Sequence, residues 1–449
     1  MRRLWILVAN VFMPNVAIIG AGLAGSLLAI YLAKRNIQVD VYEARGDMRK
    51  EEVAAGRSIN LALSDRGIAA LREVGMDEYM LAAAVPMYGR MIHSISGETK
   101  LLPYSGRKGE CINSVSRAGL NIALINEAEK YNGVQFHFDE RCIDFDCGTG
   151  EAMFETGLSL SADTVIATDG AGSAVRQAME RQLPHLESSS LFLEHGYKEL
   201  NIPPGPDGTF LIDKNALHVW PRHQFMMIAL PNFDGSFTCT LFLDKKQMAS
   251  LETGKAVRDF FNREFPDAVP VMPTLTEDFF DNPTGELGTV RCWPWHFDGK
   301  VLLLGDAAHA MVPFYGQGMN CAFEDVCVLD SLIERHKGNW AAIYEEYGRL
   351  RKINTDAIQD MAEENFYEMR DATADPVFQR KRELETRLEQ TYPDYFSKYS
   401  MVTFREDLPY SVAKEKGNAQ DRLLMEICAK ENDGDNIDVE SVLVRLREL

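Results

Sequence analysis

The sequence predicts an α/β protein, and three features of its pattern support this fold class. A run of β-branched and apolar residues at 15–19 leads into Gly20-Ala-Gly22-Leu-Ala-Gly25 and then into an apolar helix, the pattern of a Rossmann-like unit. Residues 180–290 alternate as strands do, and residues from about 321 onward have helical periodicity. We therefore expect a Rossmann-like nucleotide-binding domain, a β-sheet domain and a C-terminal helical region.

The composition is typical of a soluble globular protein and restricts its partners. The chain has 449 residues, of which 46% are hydrophobic and 25% charged, and its formal net charge is −20. A chain of this length suggests two or three substructures. Nucleic acids and anionic membranes favour basic surfaces, so the acidic balance argues against both as main partners.

The cysteines and the N-terminus bear on the compartment. The eight cysteines are scattered without a Cys-x-x-Cys pair, which favours reduced thiols in the cytoplasm over disulfides or a zinc site. Residues 1–12 contain a short apolar run without a signal-peptide cleavage site, so either Met13 is the natural start or these residues are a loose extension. No segment reaches the roughly 18 apolar residues of a membrane span.

The first βαβ unit gives each of its glycines a separate role. Gly20 makes the tight turn, Gly22 lets the backbone approach a pyrophosphate, and Gly25 lets the helix pack on the strand. The second strand, residues 38–43, ends in Glu43, at the position of a ribose-binding carboxylate. Since no second copy of the unit follows, we expect one tightly held dinucleotide.

The next segments alternate between helices and strands. Arg45 and Arg57 either bring positive charge to the dinucleotide or are ordinary surface charges. We expect one helix over residues 65–85, strands over 87–104 with a hairpin at Ser96-Gly97, and a helix capped by Ser114 or Ser116. Strands at 134–138 and 162–168 return to the first sheet. The turn that begins at Asp169 is compatible with a position beside a cofactor and also with an ordinary turn.

The segment 180–290 predicts a sheet with strands at 209–212, 216–220, 225–230 and 237–243. One face of this sheet is rich in aromatic residues and methionine, which suits the wall of an apolar pocket. The same residues are equally compatible with a role in the domain core alone.

Residues 301–320 combine a strand, an acidic residue and a glycine-rich helix entry. The strand ends in Gly305-Asp306, and Gly316 and Gly318 precede a helix that begins at about Asn320. Unpaired N–H groups at a helix start favour a ligand atom that becomes negative, and Asp306 can accept hydroxyl protons from a sugar-like chain. Helices are then expected at 321–337 and 340–369, and a solvated loop at 431–436.

Together these motifs resemble the single-component FAD-dependent aromatic monooxygenases over residues 14–400. The resemblance implies tightly bound FAD, with NADPH as the co-substrate. It implies FAD-binding segments at 14–86, 111–180 and 291–337, substrate-domain strands at 87–110, a β-sheet substrate domain at 181–290 and the C-terminal helical region at 338–449.

Longer segments resemble the kynurenine 3-monooxygenases within that family. These segments are residues 42–45, 56–64, 89–94, 114–117, 220–222, 311–320 and 399–404. The resemblance implies O₂-dependent hydroxylation of L-kynurenine to 3-hydroxy-L-kynurenine through a flavin hydroperoxide, in tryptophan degradation. Eukaryotic members add a membrane-anchoring tail that this sequence lacks, so we expect a soluble bacterial form, either monomer or homodimer.

The resemblance also assigns site residues. For the substrate they are Arg90, Tyr104, Asn365, Tyr399, Phe314, Tyr315 and Gln317. For FAD they are Gly20, Gly22, Leu23, Ala24, Gly25, Tyr42, Glu43, Ala44, Arg45, Ala62, Arg117, Asp169, Asp306, Gly318, Met319 and Asn320. The planar fork of Arg90 suits a carboxylate, although without the resemblance an ordinary ion-paired arginine is the simpler interpretation.

No catalytic side chain and no metal are expected, because in this family the cofactor carries the chemistry and the amine activates the substrate ring. His309 is therefore assigned a structural role. The alternatives are a hydroxylase of another aromatic acid, a flavin halogenase and a non-catalytic flavin-fold binding protein. Trp293-Pro-Trp295 suggests the halogenase, but the Ile-Pro that follows in that family is missing.

Overall fold

The structure of the chain is a computed structural model that describes residues 15–50, 60–371, 375–431 and 437–449. The expectations for residues 1–12 and Arg57, and most of the loop expected at 431–436, lie outside the described residues.

A six-stranded sheet forms the centre of the nucleotide-binding half. Its strands, in spatial order, are β18 (His296–Phe297), β19 (Val301–Leu303), β12 (Thr164–Ala167), β1 (Asn15–Ile19), β2 (Gln38–Tyr42) and β8 (Val134–His137). All neighbours pair in parallel except β18 and β19. Both faces are covered, which explains why β1 and β12 are almost continuously apolar and buried.

Helices pack around this sheet. They are α1 (Leu23–Lys34), α2 (Asp65–Glu73), α3 (Asp77–Ala82), α4 (Arg117–Ala128), α5 (Ala174–Gln182), α9 (Asp306–His309) and α10 (Gly318–His336). The Ser116 hydroxyl caps α4 by accepting a hydrogen bond from the Gly119 N–H at 3.2 Å. Ser116 is one of the two residues expected to cap this helix. Two three-stranded sheets flank this half: β3 (Asn60–Leu63), β7 (Ile112–Ser116) and β4 (Val85–Met87), then β11 (Ser159–Ser161), β10 (Glu151–Phe154) and β9 (Cys142–Asp146).

A seven-stranded sheet forms the second half. Its order is β17 (Gly285–Trp293), β13 (Glu187–Ile202), β16 (Phe237–Asp244), β15 (Met226–Pro231), β14 (Leu217–Pro221), β5 (Gly89–His93) and β6 (Thr99–Pro103). Its neighbours are antiparallel except β5 and β14. One face packs against α6 (Lys245–Ala249), α7 (Gly254–Glu264) and α8 (Leu275–Asp281).

The other face of this sheet packs against the C-terminal helices. They are α11 (Trp340–Asp371), α12 (Pro376–Thr391), α13 (Lys398–Thr403), α14 (Tyr410–Lys430) and α15 (Val439–Arg447). Three 3-10 turns complete the fold, at Pro206–Gly208, Val269–Val271 and Pro313–Tyr315. The expected fold class is confirmed. Among the described residues, no helix has both the length and the apolar character needed to cross a bilayer.

Three details of the expected elements were wrong. The single helix expected at 65–85 is two helices, because Gly75 has φ +73° and ends α2. Residues 209–212 form a loop after a 3-10 turn and not a strand. The helices α6 to α8 and the 16-residue strand β13 were not foreseen. The first part of β13 is exposed on both faces, so it lacks the alternation that identifies a half-buried strand.

Candidate functional site

The glycine turn after β1 has the geometry expected for a phosphate site. Gly20 has φ +105°, and a Cβ there would lie 2.6 Å from the Thr168 carbonyl oxygen. A Cβ on Gly25 would lie 2.1 Å from the Gly20 carbonyl oxygen, whereas a Cβ on Gly22 would meet nothing within 4 Å. Gly20 and Gly25 are therefore needed for packing inside the protein, while Gly22 borders open space. Leu23 and Ala24 follow in the first turn of α1 and are half-buried.

Glu43 is buried at the end of β2 and is bonded to the same turn. Its carboxylate accepts from the Ala21 N–H at 2.9 Å and from the Arg45 Nε–H at 2.7 Å. Burial alone would raise the pKa of Glu43, but these hydrogen bonds hold it below its ordinary value. Glu43 is therefore an anion at neutral pH. Arg45 is exposed and Ala44 half-buried, both beside it.

Tyr42 contributes backbone and not its ring to this turn. Its carbonyl oxygen accepts from the Gly20 N–H at 2.7 Å. Its ring is buried and stacks on His137 with centroids 4.6 Å apart. The side chain therefore belongs to the core of this half.

The Gly305-Asp306 turn meets the glycine turn and α10. Gly305 has φ +62°, and a Cβ there would lie 3.3 Å from the Ala322 Cβ and 3.6 Å from the Ala24 Cβ. Asp306 is exposed although the residues on either side of it are buried. Its carboxylate is thus available to a ligand that lies across the ends of α1 and α10.

Asn320 fixes the entry of α10. It is fully buried; its Nδ2 donates to the carbonyl oxygens of Ala62 at 2.8 Å and Gly316 at 2.9 Å, and its Oδ1 accepts from the Ser64 N–H at 3.0 Å. Gly316 has φ +68° and directs the chain into the helix. The side chain of Asn320 is thus fully engaged, while Gly318 and Met319 in the same turn are half-buried.

Arg117 begins α4, and Asp169 follows the end of β12. Arg117 is the exposed first residue of α4. One oxygen of Asp169 accepts from the Ala174 N–H at 2.8 Å, and the other is buried without a hydrogen-bond partner. Burial raises the pKa of Asp169. Asn121 was missed by the sequence analysis: its Nδ2 donates to the Ala21 carbonyl oxygen at 3.0 Å and ties α4 to the glycine turn.

These residues fit an extended dinucleotide such as FAD. The open space over Gly22 suits a pyrophosphate, and the ionised Glu43 suits ribose hydroxyls. The exposed carboxylate of Asp306 suits a polyol chain. The first N–H groups of α10 have no acceptor within the helix, so they suit a ring that becomes anionic.

His309 lies three residues beyond Asp306, and its contacts are compatible with the structural role assigned to it. It is buried, and its Nε2 lies 2.7 Å from Asp325 Oδ2. Arg351 Nε donates to the other carboxylate oxygen at 2.6 Å. Cys321 completes a potential metal-ligand group with His309 and Asp325. The Arg351 guanidinium, however, already supplies the positive charge there.

A second site lies between the seven-stranded sheet and the C-terminal helices. A cavity of about 20 Å³ is enclosed there, and the rings of Tyr104, Tyr399 and Tyr315 stack in series with centroids 5.1 and 5.4 Å apart. The Arg90 guanidinium lies 5.1 Å from the Tyr399 ring centroid, and Arg90 Nε is buried without a hydrogen-bond partner. The cavity is lined by Arg90, Leu102, Pro103, Tyr104, Glu368, Phe378, Arg382 and Tyr399.

Three other residues assigned to the substrate, Phe314, Asn365 and Gln317, are buried but are not among the residues that line this cavity. Phe314 is buried between Phe242 and Phe366, with centroids 4.9 and 4.5 Å away. Asn365 donates to the Phe314 carbonyl oxygen at 2.6 Å and so holds the 3-10 turn that precedes Gly316. Gln317 is buried, and its Oε1 accepts from the Tyr410 hydroxyl at 2.9 Å.

The sequence analysis missed two charged residues of the cavity. Glu368 lies 3.5 Å from Arg90 Nη1, and the Arg382 Nη1–H donates to Glu385 at 2.7 Å. Glu368 is three residues after Asn365 on α11, and residues so spaced share a helix face. That spacing was a usable signal for Glu368, whereas no local signal indicated Arg382.

Comparison with known proteins agrees with this geometry. The family model described as "FAD binding domain" matches residues 13–342. The kynurenine 3-monooxygenase of Myxococcus xanthus is 48% identical over 92% of this chain and 90% of its own length. That of Dictyostelium discoideum is 45% identical over 94% of this chain and 95% of its own.

Solved structures support the fold. A 2-methyl-3-hydroxypyridine-5-carboxylic acid oxygenase superposes with a TM-score of 0.67 over 89% of this chain and 99% of its own, at 19% identity. A tetracycline destructase superposes with a TM-score of 0.61 over 85% of this chain and 99% of its own, at 17% identity. From the sequence relatives and the flavin site, we conclude that this chain is an FAD-binding protein of the kynurenine 3-monooxygenase family.

Proposed function

We propose that this chain hydroxylates L-kynurenine at ring carbon 3 with NADPH and O₂, giving 3-hydroxy-L-kynurenine. The observation that carries the proposal is the buried, incompletely paired Arg90 in an aromatic cavity that adjoins the flavin turn. A buried guanidinium with a free N–H is costly without an anion, and an aromatic amino acid supplies both the anion and the ring.

Arg90 is the proposed ligand of the substrate carboxylate. Glu368 is now its nearest carboxylate, at 3.5 Å, a distance too long for a strong hydrogen bond. A substrate carboxylate can replace this contact with two parallel N–H···O bonds. Tyr104 and Tyr399 lie beside the guanidinium and complete the polar end of the cavity.

The aromatic side of the cavity is the proposed place of the substrate ring. Phe314 and Tyr315 form the wall on the side of Gly316 and α10. Since the cavity is only about 20 Å³, enough for roughly one water molecule, its lining must move outward for the substrate to enter. When it closes again, the aromatic rings exclude water.

The proposed flavin contacts come from the first half of the molecule. Glu43 and Asp306 hold hydroxyl groups, Gly22 and α1 receive the pyrophosphate, and the first turn of α10 lies against the ring. When FAD is bound, it supplies the redox and oxygen-transfer chemistry. The side chains orient the substrate, and the substrate's own amine activates the carbon that reacts.

The proposal also includes the compartment, the organisation of the chain and the remaining flavin contacts. All eight cysteines are free thiols, which is typical of the cytoplasm.

The proposed organisation of the chain is the division into flavin-binding segments, substrate domain and C-terminal helical region, and the proposed oligomeric state is a monomer or homodimer. The remaining FAD contacts proposed are those of Leu23, Ala24, Ala44, Arg45, Ala62, Arg117 and Asp169.

A product assay tests the proposed reaction. The purified flavoprotein is incubated with NADPH, O₂ and L-kynurenine, and products are identified by mass spectrometry against a panel of other aromatic acids. We expect 3-hydroxykynurenine in proportion to the NADPH consumed. Hydrogen peroxide without a hydroxylated product, or preferred turnover of another acid, would contradict the proposal.

The variant Arg90→Ala tests the proposed carboxylate site. A hydrogen-bonded charge contributes roughly 1.5–3 kcal/mol, so KM for L-kynurenine should rise by about 10- to 150-fold. FAD content should be unchanged, because Arg90 lies outside the flavin site. Arg90→Lys is the matched variant and should recover part of the loss, since lysine keeps the charge but not the fork. Loss of flavin from Arg90→Ala would show that the residue has another role.

A further inference from the structure

Two histidines and an aspartate form a hydrogen-bonded chain on the side of the sheet that faces away from the substrate cavity. We call this chain, made of His93, His218 and Asp267, the histidine clamp. His93 Nδ1 lies 2.6 Å from Asp267 Oδ2, and His93 Nε2 lies 2.8 Å from His218 Nδ1. His218 Nε2 lies 2.7 Å from the carbonyl oxygen of Asp213. Both histidines are buried.

The partners of the clamp determine its protonation. A carbonyl oxygen only accepts, so His218 Nε2 carries the proton toward Asp213. Burial lowers the pKa of His218 to about 4, so this ring is neutral and its Nδ1 is an acceptor. His93 Nε2 therefore donates to His218. His93 is thus held at both ring nitrogens, by His218 on one side and by Asp267 on the other.

Further contacts hold the histidine clamp in place. The Trp220 indole N–H donates to Asp267 at 3.0 Å, and the Trp220 ring stacks on His93 with centroids 4.0 Å apart. Burial would raise the pKa of Asp267, but the bonds from His93 and Trp220 hold it below its usual value. Arg222 is a further charge nearby, and it donates to the backbone carbonyl oxygens of His93 and Glu264. The Asp213 carboxylate also acts on His218 and favours its protonated form, so it raises the pKa against the larger effect of burial.

The clamp and Arg90 are on opposite faces of the same strands. Side chains alternate along a strand, so Arg90 and Ile92 share one face of β5 and His93 is on the other. Ile92 belongs to the apolar cluster of the substrate cavity and Trp220 to the cluster beneath α6 to α8. In the register of β5 and β14, Leu217 is opposite Arg90 and His218 is opposite Met91.

We propose that His93 is a positioning residue for Arg90: held between Asp267 and His218, it fixes the strand from which Arg90 reaches the substrate carboxylate. The inference rests on the proposed function, because it assumes that Arg90 binds that carboxylate. Arg90 Nε has no hydrogen-bond partner, whereas the end of the guanidinium lies 3.5 Å from Glu368 and 5.1 Å from the Tyr399 ring centroid. These contacts hold the end of the side chain, and β5 sets the point from which the side chain starts. A misplacement of about 1 Å in a site of this kind can cost on the order of a hundredfold.

A double-mutant cycle on the flavin-loaded enzyme tests the connection. In His93→Gln we expect KM for L-kynurenine to rise about tenfold or more, while kcat and FAD content stay near those of the parent. In the Arg90→Ala background, His93→Gln should add no further increase, because residues that act through one another are non-additive. His336→Gln is the control: His336 also pairs with a carboxylate, Glu346, but far along α10, and its KM should not change.

The outcomes separate this inference from the proposed function. If Arg90→Ala leaves KM unchanged, the proposed carboxylate site is wrong. If Arg90→Ala raises KM but His93→Gln does not, or if the two effects add, the positioning role is wrong. A lower melting temperature with an unchanged KM would show a purely structural role and would also overturn it.

Should His93→Gln fail to fold, the cycle is measured with Asp267→Asn, which keeps the shape of the side chain and removes the charge that pairs with His93. KM must rise in that variant too.

Discussion

Residues of the proposed flavin site differ in whether their side chains already have hydrogen-bond partners within the protein. Glu43 and Asn320 are buried and accept hydrogen bonds from backbone N–H groups, so they hold the turns that border the proposed cofactor site. Asp306 is exposed at the end of a buried strand. A change at Asn320 therefore affects both folding and flavin binding, whereas a change at Asp306 separates the two.

Asp306→Ala should weaken FAD binding without weakening the fold. A hydrogen bond to a charged group contributes roughly 1.5–3 kcal/mol, so Kd for FAD should rise by at least about tenfold. The melting temperature of the apoprotein should not change, because the side chain is exposed. Flavin fluorescence titration and calorimetry give the two quantities. Asp259→Ala, at an exposed aspartate of α7, is the control for a lost surface charge.

His218 should make the protein sensitive to mild acid. Burial lowers its pKa from 6.5 to about 4, so as pH falls the unfolded chain takes up a proton before the folded one does. The stabilisation is complete above the unfolded pKa and is lost between pH 6.5 and 4. The free energy of unfolding that is lost in this way between pH 7 and pH 5 is about 2 kcal/mol.

Urea unfolding at pH 7 and pH 5 measures this contribution. His218→Asn lacks the titrating ring, so its free energy of unfolding should fall less over this interval than that of the parent, by about the same 2 kcal/mol. Equal losses in the two proteins would mean that His218 titrates normally in the folded state.

At the scale of elements, α11 joins the two halves of the molecule. This 32-residue helix carries Arg351 near its middle, bonded to Asp325 of α10, and Asn365 and Glu368 near its end, beside the cavity. The helix thus connects the flavin turn with the substrate cavity. Its central ion pair is almost fully buried, with side-chain exposures of 2% for Arg351 and 0% for Asp325.

Arg351→Ala should be severely destabilising. Removing one partner leaves the Asp325 carboxylate buried without its guanidinium, which costs about 3–5 kcal/mol. The free energy of unfolding from urea titration measures the loss. Arg349→Ala is the matched control, because Arg349 lies on the same helix in an exposed pair with Glu345, and exposed pairs contribute about 0–1 kcal/mol. Similar losses in the two variants would contradict the importance of burial.

At the scale of the whole molecule, the substrate cavity is assembled from distant parts of the chain. Its lining comes from β5 and β6, from the end of α11, and from α12 and α13. Because the cavity is small, the substrate binding that we propose requires some of these elements to move outward and then to become ordered together.

Hydrogen exchange of the holoenzyme with and without L-kynurenine tests this coupling. We expect slower exchange in β5, β6, the end of α11 and α13 together when the substrate is bound. The sheet of β9, β10 and β11 has no part in the cavity, so its exchange should not change. Protection confined to β5 and β6 would show that the C-terminal helices do not close over the substrate.

Local patterns in the sequence predicted the fold class, which the structure confirms, and the residues of the proposed flavin site. The glycine turn, Glu43 at a strand end and Gly305-Asp306 before a helix are local patterns, because turn geometry and helix starts depend on neighbouring residues. The chemistry of Arg90 was predicted only through the resemblance to a family, since nothing adjacent to it in sequence marks it as a ligand.

Only the tertiary structure decided how these parts meet. Asn320 bonds Ser64 across 256 residues of sequence, Glu368 approaches Arg90, and His93 lies between Asp267 and His218. Such contacts join residues whose local patterns are ordinary. They depend on which faces of strands and helices become buried together, and this is fixed by packing in three dimensions and not by the period of any one segment.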